Sequence, residues 1–273
     1  MFSQSDKPLI MGILNVTPDS FSDGGNFLSV NAALRQAQLM VAQGADIIDI
    51  GGESTRPGSS PINPQEQIRR VVPVIEEIRL RMGSNVRISI DTTRSEVARA
   101  ALMAGANMIN DVSAGQDDRA LLSVAAHFEV PVVLMHKQGD PKTMQMNPYY
   151  DDVVQEVIQT LEERIEEALR AGIPRHRIFL DPGIGFGKRK QDNFDLLAHL
   201  DAIVALGFPV LLGTSRKQFM GALCHVNAPS ELVTATAVTT ALGVMAGVRV
   251  FRVHDVKENR QAADVAWAIK QSR

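Results

Sequence analysis

Residues 9–25 read LIMGILNVTPDSFSDGG, and this stretch sets the design that the rest of the chain repeats. An apolar run of strand length, residues 9–14, ends at Asn15, and it is too short for a helix. The loop that follows is rich in the turn formers Pro, Ser and Gly. A buried strand that brings an amide to its carboxyl end and then opens into a polar loop is typical of the first unit of a parallel α/β enzyme.

The same alternation of short β-branched runs and longer amphipathic segments continues through the 273 residues. The runs predict strands at residues 9–15, 47–50, 87–91, 108–111, 131–135, 178–181, 210–213 and 249–253. The other segments predict helices at residues 30–43, 64–82, 95–104, 118–128, 151–171, 193–206, 229–246 and 257–270. About eight β-then-α units of this length favour a single (β/α)8 TIM barrel. We expect one domain over residues 1–273, with an open doubly wound sheet as the structural alternative.

The composition argues against several classes of function. A net charge of −3 provides no general field for binding nucleic acid or an anionic membrane. Residues 1–8 lack the apolar core of a signal peptide, and residues 233–253 are interrupted by Thr, Gly and Arg249. The single cysteine, Cys224, fits a reducing compartment and is expected to be a buried structural thiol. We therefore expect a cytoplasmic protein that engages neither nucleic acid nor a membrane.

Polar residues follow the predicted strands at the point where each strand ends. They include Asn15, Glu53, Asp91, Asn110, His136, Asp181, Ser215 and His254. In a barrel the carboxyl ends of all strands meet at one face, which is the face that carries catalysis. A single polar residue there can cap the following helix, but acids, amides and bases at eight strand ends predict an active site.

The period-2 alternation of strands indicates which of these side chains face the barrel interior. In residues 88–91 the two isoleucines share one face, and Ser89 and Asp91 share the other. Asp91, Asp181 and the amide of Asn110 suit a planar heterocycle rich in N–H donors, because carboxylates accept paired hydrogen bonds. A second set suits a phosphate-like anion and comprises Arg252 and His254, with Thr55, Arg56 and Ser215. The residues thus indicate a phosphorylated or diphosphorylated heterocycle, without identifying the reaction.

Two long segments closely resemble the signature segments of the dihydropteroate synthases, a family of pterin-binding TIM barrels. They are residues 15–25, NVTPDSFSDGG, and residues 51–58, GGESTRPG. The likeness continues through residues 91–92, 110–112, 135–136, 181–188 (DPGIGFGK), 213–217 (GTSRK) and 252–254 (RVH). It covers essentially the whole chain in the right order. Lys137 and Asp140 depart from the family pattern.

The resemblance implies condensation of 6-hydroxymethyl-7,8-dihydropterin diphosphate with p-aminobenzoate, by an SN1-like displacement that gives 7,8-dihydropteroate and diphosphate. It further implies Mg²⁺ as cofactor, a homodimer and inhibition by sulfonamides. The pterin is expected at Asp91, Asn110, Asp181 and Lys217, and the diphosphate at Asn15, Thr55, Arg56, Arg252 and His254. The p-aminobenzoate is expected at Phe21, Pro57, Phe186 and Ser215, and the metal at Asn15 and Asp23. Asp91, Lys217 and Arg252 are the expected catalytic residues.

Two other functions remain open from the residues. A methyltransferase barrel that binds a folate would share the pterin-facing Asp and Asn, but it would not need Phe21 and Asp23 in the first loop. A catalytically silent pterin-binding subunit would show a gap in the anion-binding set, and no such gap is visible. Asp49 lies inside a strand and is expected to support ligand-binding residues rather than bind ligand itself.

Overall fold

The computed structural model describes residues 7–16, 26–53, 62–140 and 142–272. In this part of the chain eight parallel strands form one sheet in the order β6-β5-β4-β3-β2-β1-β8-β7. The strands are β1 (Leu9–Asn15), β2 (Ile47–Gly51), β3 (Arg87–Asp91), β4 (Met108–Asp111), β5 (Val132–Met135), β6 (Ile178–Asp181), β7 (Leu211–Leu212) and β8 (Val250–Val253). A parallel bridge between Leu180 and Val210 joins β6 to the segment before β7. The barrel is therefore nearly closed, which confirms the predicted barrel and rules out the open sheet.

Helices alternate with the strands and pack around the barrel. They are α1 (Asn26–Ala42), α2 (Pro64–Met82), α3 (Ser95–Met103), α4 (Ala120–His127), α5 (Val153–Arg170), α6 (Lys190–Ala198), α7 (Leu200–Val204), α8 (Gln218–Cys224), α9 (Val233–Ala246) and α10 (Val256–Gln271). The start of α5 follows from its N-cap, because the Asp152 side chain accepts hydrogen bonds from the backbone N–H of Val154 and Gln155. None of the helices in the described ranges is long and apolar enough to cross a membrane.

The structure differs from the predicted elements in the last third of the chain. Residues 193–206, predicted as one helix, form parts of α6 and α7, which are separated at His199. Helix α8 was not predicted, because its seven residues are too few to show helical periodicity. Cys224 lies at the end of α8 and is exposed, so the expectation of a buried thiol was wrong.

Two apolar cores hold the barrel together. Alternate strand residues, such as Ile88 and Ile90, point outward and pack against the helices. The residues between them point inward and fill the amino-terminal half of the barrel: Leu9, Met11, Ile47, Met108, Val133, Phe179, Leu211 and Val250. Because this inner core closes one end, the polar side chains of the same strands can gather only at the carboxyl end.

Candidate active site

A cavity of about 740 Å³ opens at the carboxyl ends of the strands. Every predicted site residue that the structure describes lines it: Asn15, Asp91, Asn110, Asp181, Phe186, Ser215, Lys217, Arg252 and His254. The strands bring these side chains together from positions spread over most of the chain. The other predicted site residues, Phe21, Asp23, Thr55, Arg56 and Pro57, lie outside the described residues.

Arg252 is the centre of charge in the floor of this cavity. Its Nε donates to Asp49 Oδ2 at 2.6 Å, and its Nη2 donates to Asp91 Oδ2, also at 2.6 Å. Asp49 is fully buried and also accepts a hydrogen bond from Asn110 Nδ2 at 3.1 Å. Asp49 does not line the cavity itself, so its expected supporting role agrees with its position.

The single positive charge of the Arg252 guanidinium is thus paired with two buried carboxylates. The resulting excess of negative charge contributes to the pKa shifts of Asp91 and Arg252. Burial raises the pKa of Asp91 to about 7, and the nearby Asp49 adds to the rise while Arg252 opposes it. Burial alone would lower the pKa of Arg252, but Asp49 and Asp91 more than reverse this, so its pKa lies above the ordinary value. Asp91 Oδ1 is buried and has no hydrogen-bond donor among the described residues. An unpaired buried acceptor of this kind is suited to a ligand N–H.

Asp181 and Lys217 line the cavity beside the loop after β6. The backbone N–H of Gly183 donates to Asp181 Oδ1 at 2.7 Å, and Lys217 Nζ donates to the carbonyl of Ile184. The same ammonium lies 4.8 Å from the centre of the Phe186 ring. Burial lowers the pKa of Lys217 to about 8, although the charge of Asp181 opposes this. Burial raises the pKa of Asp181, and Lys217 opposes that change in turn.

Ser215 and His254 meet on the side of the cavity formed by β7 and β8. Ser215 Oγ lies 2.9 Å from His254 Nδ1 and accepts the backbone N–H of His254 at 3.1 Å. The neighbouring Arg216 adopts a left-handed φ of 58°, and its guanidinium binds Asp255 at 2.5 and 2.9 Å. This ion pair fixes the loop that carries Ser215 and Lys217.

Sequence reasoning missed Lys188, which is buried and lines the cavity. Its Nζ lies 2.8 Å from His136 Nδ1 and donates to the Phe186 carbonyl at 3.2 Å. Burial lowers the pKa of Lys188 to about 7 and that of His136 to about 3, so the imidazole is neutral near pH 7. Lys188 ends the DPGIGFGK motif, but nothing in that motif shows that the lysine turns inward.

Lys137 and Asp140, the two departures from the family pattern, have local structural contacts. Lys137 Nζ binds Asp117 Oδ1 at 2.7 Å, and the Asp140 carbonyl accepts the N–H groups of Thr143 and Met144. Neither residue lines the cavity.

The chain matches the family model described as "Pterin binding enzyme" over residues 11–254. It is 46% identical over 261 residues to the Escherichia coli dihydropteroate synthase, covering 96% of this chain and 91% of that one. A crystal structure of the Yersinia pestis dihydropteroate synthase in a sulfonamide drug complex superposes with a TM-score of 0.91 at 43% identity, covering 98% of this chain and 96% of that one. The Xanthomonas albilineans dihydropteroate synthase in complex with 7,8-dihydropteroate has a TM-score of 0.87 at 44% identity and covers 97% and 95%.

The barrel, the polar cavity at its carboxyl face and the family match define the class: the chain belongs to the pterin binding enzymes. Within that family it belongs with the dihydropteroate synthases, and its activity is that of a pterinylmethyl transferase in folate synthesis. The methyltransferase and the silent subunit considered from the sequence alone are therefore not supported.

Proposed function

We propose that this cavity binds the two substrates of the dihydropteroate synthase reaction through the residues assigned to them above. The observation that carries the proposal is the convergence of three acceptor side chains, Asp91, Asn110 and Asp181, with the cations Lys217 and Arg252 in one cavity. The acceptors match the N–H groups of a pterin, and the cations match a carbonyl and a diphosphate. The bound 7,8-dihydropteroate of the Xanthomonas albilineans relative supports this assignment.

The pterin lies in the floor of the cavity under this proposal. Asp91, Asn110 and Asp181 accept its N–H groups, and Lys217 Nζ donates to its carbonyl. Fixed geometry at these four side chains points the methylene carbon toward the mouth of the cavity. Charge that develops on this carbon as the C–O bond breaks spreads into the ring, where the carboxylate of Asp91 stabilises it.

The diphosphate leaves on the side of Arg252 and His254, and Asn15, Thr55 and Arg56 are the other residues proposed to bind it. A leaving diphosphate gains negative charge, and the Arg252 guanidinium neutralises it in a site that excludes bulk water. This favours an SN1-like displacement, because the bond to the leaving group can break before the new bond forms.

The arylamine approaches along the wall made by Phe186 and Ser215, and Phe21 and Pro57 are the other two residues proposed to bind it. The p-aminobenzoate nitrogen is a nucleophile that is little protonated at neutral pH, so positioning replaces a dedicated base. A sulfonamide has an arylamine of similar shape, and the sulfonamide complex of the Yersinia pestis relative supports competition for this wall.

The proposed Mg²⁺ site lies at the end of β1, where Asn15 Oδ1 is an oxygen donor. Mg²⁺ prefers a few protein oxygens together with substrate phosphates and water. Gly51 has no side chain, and the position that a Cβ would occupy lies 3.7 Å from both Asn15 Oδ1 and Asp91 Oδ2. We propose that Asn15 holds the ion together with Asp23, so that when bound it neutralises diphosphate charge.

We further propose that the protein is a cytoplasmic homodimer. Helices α9 and α10 pack together, and each exposes two large apolar side chains one turn apart: Val238 and Leu242, and Val265 and Ile269. Exposed apolar residues grouped in this way are typical of an interface between subunits. An exposed free thiol at Cys224 is suited to a reducing compartment.

The test follows diphosphate release from the pterin diphosphate with Mg²⁺, in the presence and absence of p-aminobenzoate. We expect release that depends on the arylamine and yields dihydropteroate. Release without the arylamine would mean that water captures the pterin cation, contrary to the proposed shielding. Tight pterin binding without release would overturn the proposed roles of the anion-binding residues.

A further inference from the structure

Asp49 contacts two cavity residues without reaching the cavity. A single carboxylate oxygen, Oδ2, accepts hydrogen bonds from Arg252 Nε at 2.6 Å and from Asn110 Nδ2 at 3.1 Å. Its side chain is fully buried, and Oδ1 has no partner among the described residues. The established activity assigns no role to this carboxylate.

The contact with Asp49 determines which end of the Asn110 amide faces the ligand. A side-chain amide can rotate by half a turn, and it then presents either its oxygen or its NH₂ group. A carboxylate only accepts hydrogen bonds, so the NH₂ group must face Asp49 and the oxygen must face away. The opposite rotation would place two acceptors against each other in a buried site, which is costly.

We propose that Asp49 is a positioning residue that determines which hydrogen-bonding groups the cavity presents to its ligand. With Asp49 in place, Asn110 presents an acceptor beside the acceptor of Asp91, and the floor selects a ligand edge that carries neighbouring N–H donors. This inference rests on the proposed pterin site and adds the residue that orients the acceptor of Asn110 toward the ligand in that site.

The contact of the same oxygen with Arg252 has a related consequence. Asp91 shares the Arg252 guanidinium with Asp49, each at 2.6 Å. When Asp91 accepts the N–H groups of a ligand, Asp49 still holds the guanidinium through Nε. Arg252 therefore does not compete with the ligand for the whole of the Asp91 carboxylate.

The test measures selectivity rather than activity. Calorimetry compares the affinity of 6-hydroxymethylpterin with that of its analogue without the 2-amino group. The wild type is expected to prefer the amino ligand by on the order of a hundredfold, because the analogue leaves buried acceptors unpaired. Asp49→Leu keeps the branching at Cγ but removes the acceptor, and it should reduce this preference by about tenfold.

Three controls separate positioning from general damage. Asp49→Asn retains an oxygen acceptor and should keep most of the preference. Ser89→Ala changes a buried side chain that is paired with Asp49 in the strand register and has no hydrogen-bond partner in the described part of the chain, and it should leave the preference unchanged. In Asn110→Ala the preference should fall, and adding Asp49→Leu should change it no further, because both residues act through one hydrogen bond.

The possible results separate this inference from the proposed function. Equal weakening of both ligands in Asp49→Leu, with the preference intact, would overturn the inference while the pterin site stands. Failure of the wild type to bind either ligand would overturn the proposed pterin site and the inference with it. If Asp49→Leu does not fold, hydrogen exchange of the Asn110 side-chain NH₂ in the wild type decides: slow exchange supports the contact, and fast exchange overturns it.

Discussion

At the scale of single residues, Arg252 links the proposed pterin site to the proposed diphosphate site. Its side chain reaches carboxylates on β2 and β3 from β8, and it lines the cavity where the diphosphate is proposed to leave. The fork of the guanidinium makes both contacts at once, which a point charge cannot do. Its charge and its shape therefore both contribute to the site.

Replacing Arg252 by lysine tests that shape. Arg252→Lys keeps the positive charge but cannot bridge Asp49 and Asp91, so we expect turnover to fall by about 10²–10³. Diphosphate release measures the rate, and a thermal melt reports any loss of stability. Arg177→Lys, in an ion pair at the exposed Glu129, is the matched control and should turn over normally. Near-normal turnover of Arg252→Lys would remove the guanidinium fork from the mechanism.

The pKa of Asp91 predicts how pterin affinity depends on pH. Protonation turns one oxygen of Asp91 into a donor and so weakens its acceptance of ligand N–H groups, and burial raises the pKa of Asp91 to about 7. The carboxylate fraction falls as the pH drops below this value, so the apparent Kd should rise about tenfold for each pH unit. Above the pKa, the affinity should become independent of the titration of Asp91.

Calorimetry of pterin binding across this range checks the prediction. Asp91→Asn cannot titrate and should bind weakly, with a flatter dependence on pH. A wild-type affinity that stays constant as the pH falls well below 7 would show that the ligand does not need the carboxylate form of Asp91.

The loop between β6 and α6 is the element that shapes one wall of the cavity. Gly183, Gly185 and Gly187 all have positive φ values, of 66°, 83° and 62°. At Gly183 a Cβ would lie 1.8 Å from the His136 carbonyl oxygen, and at Gly187 it would lie 2.1 Å from the Gln138 carbonyl oxygen. These glycines let the loop press against the segment after β5 and hold Phe186 at the cavity.

The variants Gly183→Ala and Gly207→Ala together separate the free-energy cost of the close backbone contact from the cost of a strained φ angle. Gly207 has a φ of 78°, and apart from its chain neighbours no described residue has an atom within 4 Å of the position that a Cβ would occupy, so Gly207→Ala should cost only about 1–2 kcal/mol of unfolding free energy. Gly183→Ala carries the same strain and a backbone clash, so we expect a further 1–3 kcal/mol, roughly, from overpacking. It should also raise the KM for p-aminobenzoate, because Phe186 moves. Denaturant unfolding and steady-state kinetics measure the two effects. Equal stability of the two variants would contradict the close packing of this loop.

The apolar face of α9 and α10 matters at the scale of the whole molecule. It lies on helices that follow β7 and β8 in the chain, the strands next to Ser215 and His254. Burying this face between two subunits would remove its exposed apolar side chains from water, which is the main driving force of association. The same contact would brace the helices behind the anion-binding side of the cavity.

Leu242→Glu tests the homodimer. A charge on this side chain, which is 60% exposed, cannot be buried against a second subunit without a large desolvation cost, so the variant should sediment as a monomer. Leu80→Glu on α2 changes a side chain that is 74% exposed outside this face and should leave the mass of the assembly unchanged. Analytical ultracentrifugation compares the variants with the wild type. An unchanged dimer in Leu242→Glu would place the interface elsewhere.

Local signals predicted most of the architecture and much of the candidate site. Helix α2 and the strands β3, β4 and β6 have the predicted bounds, because periodicity and turn residues are encoded in short segments. Helix α8 and the break between α6 and α7 were not predicted, since short helices depend on their packing more than on their own pattern. The inward turn of Lys188 follows from its contact with His136, which is 52 residues away.

The sequence by itself determined the barrel and the face of the active site, since strand period and strand ends dictate which polar side chains meet. Only the tertiary structure decided how those side chains pair. The contact of Arg252 with Asp49 joins residues 203 positions apart, and it exists because β1 lies between β8 and β2 in the closed sheet. Local patterns encode which residues face inward. The register of distant strands decides which of them touch.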